Sequence, residues 1–176
     1  MARDLAAALQ AVVSRARLAA SPLHGETHWR RVAANALDLA DADARCDREV
    51  VLLFAIVHDA ARENDDWDRG HGARAADLAR ELNERWLGLS AERLDLLATA
   101  CAGHSEGRTS ADPTIAACWD ADRLDLIRIG VEPRVRLMST AAGRGATAGA
   151  RAKHYLTADP RWEDLFRRCL DPTFGK

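Results

Sequence analysis

Six side chains of types that commonly bind metal ions are spread along the 176 residues, each on or beside an apolar face of a predicted helix. In chain order they are His28, His58, Asp59, His71, His104 and Asp122. Imidazole and carboxylate groups together form typical sites for Mn, Fe, Co, Ni or Zn. The sequence therefore indicates metal-dependent chemistry, provided that the helices bring these side chains together.

Asp122 lies in the middle of an apolar helix face. Apolar residues recur at intervals of three or four through the segment 113–130, which predicts a helix with one face in the core. They are Ile115, Cys118, Trp119, Leu126 and Ile129. Burying an unpaired carboxylate there would cost on the order of several kcal/mol. A metal ion or a core arginine should therefore face Asp122.

The doublet His58-Asp59 ends an unbroken apolar run, residues 50–57. Asp47 is a suitable N-cap with Val50 at the third helical position, so the run is predicted to be a central buried helix rather than a strand. A lone histidine at such a place is typical of a hydrogen-bonded core residue. A histidine followed directly by an aspartate favours a metal site.

His28 begins the preceding predicted helix and shares one face with Val32, Asn35 and Leu39. This spacing of three and four residues points His28 toward the core. His24 lies four residues earlier, but Gly25 interrupts the helix between them. We therefore expect His24 in a loop near the site.

These residues resemble the pattern of the HD-domain superfamily of metal-dependent phosphohydrolases over roughly residues 24–130. The pattern consists of His28, the doublet His58-Asp59, and Asp122 within the segment Asp-Ala-Asp-Arg-Leu-Asp, residues 120–125. The resemblance implies that His28, His58, Asp59 and Asp122 bind one divalent ion. It also implies an all-α, compact helical bundle.

Some members of this superfamily hold two ions, and the resemblance implies two alternatives for His71 and His104. In a two-ion site Asp59 would bridge the ions and these histidines would bind the second. In a one-ion site they would act as a catalytic acid or contact the phosphate. The metal would be a divalent transition ion (Mn, Fe, Co, Ni or Zn), with one or two ions per chain.

A divalent ion suits phosphoester hydrolysis because it activates water and polarises a phosphoryl oxygen. Asp59, His71, His104 and Arg123 are the predicted catalytic residues. Arginine binds phosphate through paired hydrogen bonds. The predicted substrate contacts are Arg31, Arg62, Arg123 and Asp65. Each arginine has an alternative as an ion-paired structural residue, and Arg62 has Glu63 and Asp65 nearby in the sequence.

Helical periodicity predicts a single HD-type domain over residues 1–176, with its core at about 21–130. The predicted helices span about 2–20, 28–42, 47–59, 71–87, 90–102 and 113–129. Small residues at 139–149 predict a mobile loop within the segment 131–176. Beyond that loop a closing helix is expected, in which His154 is not a ligand.

Composition argues against several kinds of partner and compartment. The net charge of −2 and the pI near 6.3 provide no basic surface for duplex nucleic acid or an anionic membrane. Neither a membrane-length apolar run nor a leader-like start is found, so a cytoplasmic location is expected. The four cysteines show no metal-clip or redox spacing.

The predicted function is hydrolysis of a nucleotide or another small phosphate ester. One alternative is a di-iron oxygenase, with the second iron held by His71 and His104, because some two-metal members of the superfamily have that activity. Another is a ligand-binding HD module without turnover.

Overall fold

The structure is a computed structural model that describes residues 4–174. Within this range the chain is helical without strands, which confirms the predicted all-α fold class. The α-helices are α1 (Leu5–Val13), α2 (Glu26–Asp41), α3 (Arg48–Val57), α4 (His71–Leu82), α5 (Ala91–Gly103), α6 (Pro113–Leu124), α7 (Ala141–Arg144), α8 (Ala148–Ala158) and α9 (Trp162–Leu170). Buried residues from α1 to α9 form one continuous apolar core. No helix among residues 4–174 is long and apolar enough to cross a membrane.

Helix α3 runs through the centre of the bundle, with α2, α5 and α6 packed around it. The Asp47 carboxylate caps its first turn by accepting hydrogen bonds from the backbone N–H groups of Glu49 and Val50. Every residue of the run 50–57 has no exposed surface. The helix is buried because no side of it is polar, and its end therefore delivers His58 and Asp59 into the interior.

Helix α2 begins with a close backbone turn. A Cβ atom on Gly25 would lie 2.4 Å from the carbonyl oxygen of Ala19, so only glycine fits without a shift. The Glu26 N–H donates to that same carbonyl. The helix starts one residue after Gly25, so His24 lies in the preceding turn, whereas His28 lies in the first helical turn and is fully buried.

Two predicted helices end early for local reasons. Helix α1 stops at Val13 rather than near residue 20, because the Ser14 hydroxyl donates to the Ala11 carbonyl and the chain turns there. The predicted start at residues 2 and 3 lies outside the described residues. Helix α6 ends at Leu124 and tightens into a 3₁₀ turn, Asp125–Ile129. With fewer residues per turn, Ile127 is buried while Ile129, expected in the core, is 50% exposed.

The segment expected to be a mobile loop is partly helical. Asp120, fully buried on α6, accepts hydrogen bonds from the backbone N–H groups of Ser139 and Thr140 and from the Thr140 hydroxyl. The same hydroxyl caps α7 by accepting from Gly143 N–H. The composition of residues 139–149 does not indicate these hydrogen bonds, because the Asp120 carboxylate that accepts them lies about twenty residues earlier in the chain.

Two helices, α8 and α9, stand where one closing helix was expected, and both pack on α2. The Tyr155 hydroxyl donates to Asp38 at 2.9 Å, and the Arg168 guanidinium donates to the other oxygen of that carboxylate at 2.6 Å. His154 is exposed on α8. These helices therefore support α2, which carries His28.

Candidate metal centre

Four imidazole rings from four parts of the fold meet at the end of α3, and each Nδ1 atom has an acceptor. His28 Nδ1 lies 2.7 Å from Asp125 Oδ2, and His104 Nδ1 lies 2.7 Å from the Cys101 carbonyl. His58 Nδ1 lies 3.1 Å from the Ala55 carbonyl, and His71 Nδ1 contacts the carbonyl of Asp68. A proton on each Nδ1 satisfies these acceptors. Every Nε2 atom is then left to bind a cation or share a proton.

The Nε2 atoms face one another in two pairs. His28 Nε2 lies 3.1 Å from His58 Nε2, and His71 Nε2 lies 2.9 Å from His104 Nε2. Two lone pairs at this separation repel unless a proton or a metal ion lies between them. The geometry therefore provides two adjacent positions for a cation.

Asp59 faces both pairs, with one carboxylate oxygen toward each. Its Oδ2 lies 3.6 Å from His28 Nε2 and 3.8 Å from His58 Nε2. Its Oδ1 lies 3.3 Å from His71 Nε2 and 3.5 Å from His104 Nε2. Asp59 could therefore contact a cation in either position.

Asp122 completes the first position only. Its Oδ1 lies 3.4 Å from His28 Nε2 and 3.7 Å from His58 Nε2. The other two carboxylates of its motif are engaged elsewhere: Asp120 anchors residues 139 and 140, and Asp125 accepts from His28 Nδ1. Among the three aspartates of the motif, Asp122 alone faces the Nε2 atoms.

These distances fit a transition metal. Two ligand atoms each about 2.1 Å from an ion are about 3.0–3.4 Å apart at octahedral or tetrahedral angles. The Nε2 and carboxylate separations in the two positions run from 2.9 to 3.8 Å. Asp59 Oδ1 is buried and has no hydrogen-bond partner among the described residues. A buried carboxylate oxygen in that state fits a metal ligand.

The pKa shifts differ within each histidine pair. Burial lowers the pKa of His58 to about 4, whereas for His28 the effect of burial is outweighed by Asp122 and Asp125, which raise the pKa. Burial likewise lowers the pKa of His71, whereas Asp59 raises the pKa of His104 against the effect of burial. Without metal, each pair can therefore hold one proton, on His28 and on His104.

The carboxylates at the centre remain ionised. Burial alone would raise the pKa of Asp122, but His28 and the neighbouring imidazoles lower it well below its ordinary value. The pKa of Asp59 is also well below its ordinary value, because the surrounding imidazoles outweigh its burial. Both side chains can act as anionic ligands at neutral pH.

Arg31, expected to contact substrate, is instead bonded to Asp125. Its Nε lies 2.7 Å from Asp125 Oδ1 and its Nη2 lies 3.1 Å from Oδ2. Both side chains are buried, so Arg31 supports the carboxylate that holds His28. The sequence spacing is consistent with this pair, because Arg31 follows His28 by three residues and Asp125 follows Asp122 by three, which places each one helical turn beyond a candidate ligand.

Arg123, expected to be catalytic and to bind substrate, also has internal partners. Its guanidinium donates to the carbonyl oxygens of Leu137 and Arg108. These bonds join the ends of two loops beside the metal centre. Arg123 therefore supports these loops. Its guanidinium has further N–H groups that the two carbonyls do not engage, so its role in catalysis and phosphate binding stays a prediction.

Arg62 and Asp65 lie at the rim of the centre. The Arg62 guanidinium donates to the Asp66 carbonyl at 2.8 Å, while its Nη1 lies 3.3 Å from His71 Nε2. Asp65 accepts from the Ser21 hydroxyl at 2.7 Å and lies 2.9 Å from His24 Nδ1. Arg62 and Asp65 thus make separate contacts rather than the ion pair that was one alternative for Arg62, and His24 contacts Asp65 beside the site.

Two connected clefts open onto the centre. The ion-site cleft, about 390 Å³, is lined by Asp59, His104, Asp122 and Arg134 among others. The Trp67 cleft, about 560 Å³, is lined by His71, Trp67, Leu23 and Ile129 among others. Arg62, His24, Ser105 and Arg128 line both.

Four arginines of the described chain line the ion-site cleft, and sequence reasoning missed two of them, Arg128 and Arg134. Arg128 donates to the Leu23 and Asp125 carbonyls. Arg134 is exposed, and within residues 4–174 its guanidinium has no hydrogen-bond or ion-pair partner. Neither stands beside a ligand in the sequence, so only the fold reveals that they line the cleft.

Comparisons with known proteins agree with this fold. The family model of the HD domain matches residues 25–132. A crystal structure of a predicted HD superfamily hydrolase from an uncultured Thermotogales bacterium is similar in fold, with a TM-score of 0.65 and 23% identity over 89% of this chain and 88% of that one. No curated protein gave a significant match. The family match spans more than half of the chain and confirms the resemblance noted in the sequence: the protein belongs to the HD domain family.

Proposed function

We propose that the protein is a metal-dependent phosphohydrolase that acts on a nucleotide or another small phosphate ester. The observation that carries this proposal is the convergence of four Nε2 atoms and two carboxylates beside an open cleft that Asp59, His104 and Asp122 line. Within the described residues the buried Asp59 Oδ1 has no hydrogen-bond partner. Such a donor set fits a divalent transition metal better than a structural hydrogen-bond network. Membership in the HD domain family supports the same chemistry.

In this proposal His28, His58, Asp59 and Asp122 would hold the first ion. His71, His104 and Asp59 would hold the second. A divalent ion at this centre supplies two effects: it polarises a phosphoryl oxygen, and it lowers the pKa of bound water from 15.7 toward about 7.

The surrounding residues orient the ligands and bind the substrate. Asp125 and the carbonyls of Ala55, Cys101 and Asp68 fix the four rings with Nε2 inward. We assign phosphate binding to Arg134, because its guanidinium has no partner among the described residues and it lines the same cleft as Asp59 and Asp122. The Trp67 cleft offers room for the organic part of the ester, since it adjoins His71.

We further propose a single domain acting on a small phosphorylated molecule in the cytoplasm. The net charge of −2 does not favour duplex nucleic acid or an anionic membrane. Apolar residues from all parts of the described chain share one core, which supports the single domain.

Di-iron oxygenation is the second candidate, because Asp59 faces both histidine pairs. Under this alternative, freshly purified protein would be coloured and contain iron. A phosphohydrolase instead releases phosphate with redox-inert ions such as Zn²⁺.

The test is release of inorganic phosphate from a panel of nucleotides and phosphomonoesters by protein loaded with Mn²⁺, Co²⁺, Ni²⁺ or Zn²⁺. We expect turnover by the wild type and by Asp77→Ala, which removes an exposed carboxylate on α4, and none by Asp122→Ala. No phosphate release with any ion would contradict the proposal. Bound ligand without product would instead indicate the non-catalytic module.

A further inference from the structure

We propose that Arg62 makes the second ion conditional on a bound anion, so that one ion is resident and the other binds together with the phosphate group. The second-ion position is defined by Asp59 Oδ1, His71 Nε2 and His104 Nε2. The proposal rests on the proposed function for the identity of the anion, but its test measures metal binding without turnover.

The positive charge of the Arg62 guanidinium lies next to the second-ion position. Its Nη1 lies 3.3 Å from both ring nitrogens of His71 and 3.7 Å from Asp59 Oδ1. Its side chain is only 9% exposed, so solvent screens this charge weakly. The cation therefore repels any metal ion that these three ligands would hold.

The guanidinium is fixed where it lies. Its Nη2 donates to the Asp66 carbonyl at 2.8 Å, and its Nε lies 3.4 Å from the Asn64 carbonyl. Moving Arg62 away would break these bonds to the loop that follows the His58-Asp59 doublet. The Arg62 guanidinium is therefore held beside the second-ion position and does not point into solvent.

The first position is better compensated. It has the whole of Asp122 in addition to Asp59 Oδ2, and its ligand His28 is held by a third carboxylate, Asp125. The second position has only the shared Asp59, and backbone carbonyls hold both of its histidines. The two positions should therefore differ in affinity even before Arg62 is considered.

The local charge balance explains the need for an anion. The carboxylates of Asp59, Asp122 and Asp125 are matched by three guanidinium groups near them: those of Arg31, Arg62 and Arg128. With all four imidazoles neutral, one divalent ion leaves two positive charges uncompensated in this buried centre, and two ions leave four. A phosphate dianion at the ion-site cleft offsets two of these charges, so the phosphate and the second ion should bind cooperatively.

Removing the charge should weaken this coupling. A charge within about 4–6 Å changes the affinity of a site for a proton by about 10- to 1000-fold. We therefore expect Arg62→Met, which keeps much of the side-chain volume, to tighten the second ion by at least about 10-fold in phosphate-free buffer. Arg62→Lys keeps the charge and should behave more like the wild type.

The experiment is a titration of the metal-free protein with Mn²⁺, followed by the electron paramagnetic resonance signal of the free ion, with and without inorganic phosphate. A protein-free blank corrects for Mn²⁺ bound by phosphate. The wild type should bind one ion tightly and the second at least about 10-fold more tightly with phosphate. Arg62→Met should bind two ions without phosphate, whereas Arg80→Met, which removes an exposed arginine on α4, should match the wild type.

Several results would overturn the proposal. In the first, the wild type binds two ions with equal affinity in phosphate-free buffer. In the second, the wild type binds a single ion even with phosphate. In the third, Arg62→Met does not change the binding of the second ion. If Arg62→Met does not fold, loss of phosphate coupling in Arg62→Lys would also count against the role of the charge. Absence of phosphoester turnover in a protein that shows the coupling would refute the proposed function but not this inference.

Discussion

Substitution of Asp125 by Asn tests how the fold orients its first metal ligand. Asp125 is fully buried, and its carboxylate accepts from His28 Nδ1 at 2.7 Å and from Arg31 at 2.7 and 3.1 Å. Asparagine keeps the shape but removes the charge, and one of its two positions becomes a donor. The change therefore weakens both interactions without leaving a cavity.

The two losses have different magnitudes and different consequences. Leaving the Arg31 charge without its buried partner should lower the free energy of unfolding by about 3–5 kcal/mol. Loss of a charge-assisted hydrogen bond to His28 amounts to about 1.5–3 kcal/mol. Because this hydrogen bond holds the His28 ring with Nε2 facing the first-ion position, its loss should lower the affinity for the first ion about 10- to 100-fold.

A double variant separates the two effects. In Arg31→Met/Asp125→Asn the Arg31 charge is removed together with its partner, so part of the stability should return while metal affinity stays low; Arg128 still loses its ion pair with Asp125. Stability is measured by chemical denaturation of metal-free protein, and affinity by competition with a chelator. Wild-type metal affinity in Asp125→Asn would refute the orienting role. Recovery of affinity in the double variant would show that the effect came through instability alone.

Other predictions concern the ligands themselves. Asp122→Ala should abolish binding of the first ion and turnover, while the metal-free protein unfolds at a similar denaturant concentration, because the Asp122 side chain is 19% exposed and His28 can lose its proton once Asp122 is gone; full metal occupancy and turnover would show that Asp122 is not a ligand. With phosphate present, His71→Ala and His104→Ala should each lower the bound metal from two ions to one in elemental analysis. One ion per chain in the wild type and in both variants would refute the two-ion site. In a one-ion site these histidines would act as a catalytic acid or contact the phosphate, so each variant should lose about 100-fold or more in rate. The pKa of His28 and of His104 is raised above the ordinary 6.5, so a metal ion must displace their protons. The affinity for metal should therefore fall as the pH decreases through 7 and below, and calorimetry in two buffers should detect the released protons. An affinity that does not change between pH 5 and 8 would contradict the assignment.

The central part of the fold was predictable because its signals are local. The Asp47 cap and the apolar run 50–57 define α3, and complete burial of that run follows from its lack of a polar side. Helix α6 was predicted too long: it ends at Leu124, and the 3₁₀ turn that follows starts at Asp125, whose carboxylate contacts His28 and Arg31. Periodicity alone does not record such a long-range contact.

The convergence of the six candidate ligands was easier to predict than the surroundings of the arginines. An ordered set of histidines and aspartates on apolar faces is a sequence feature, and the fold brings all six predicted ligands together. Whether an arginine meets a phosphate depends on what else lies near it. Arg31 and Arg123 have internal acceptors contributed by residues from distant parts of the sequence, whereas Arg134 has none among the described residues.

Anomalous diffraction from a crystal of the protein grown with Mn²⁺ would locate the bound ions. We expect a strong anomalous peak within bonding distance of His28 Nε2, His58 Nε2, Asp59 and Asp122, and a second peak near His71 and His104 when phosphate is present. A peak outside this centre, or none at it under metal-replete conditions, would contradict the account.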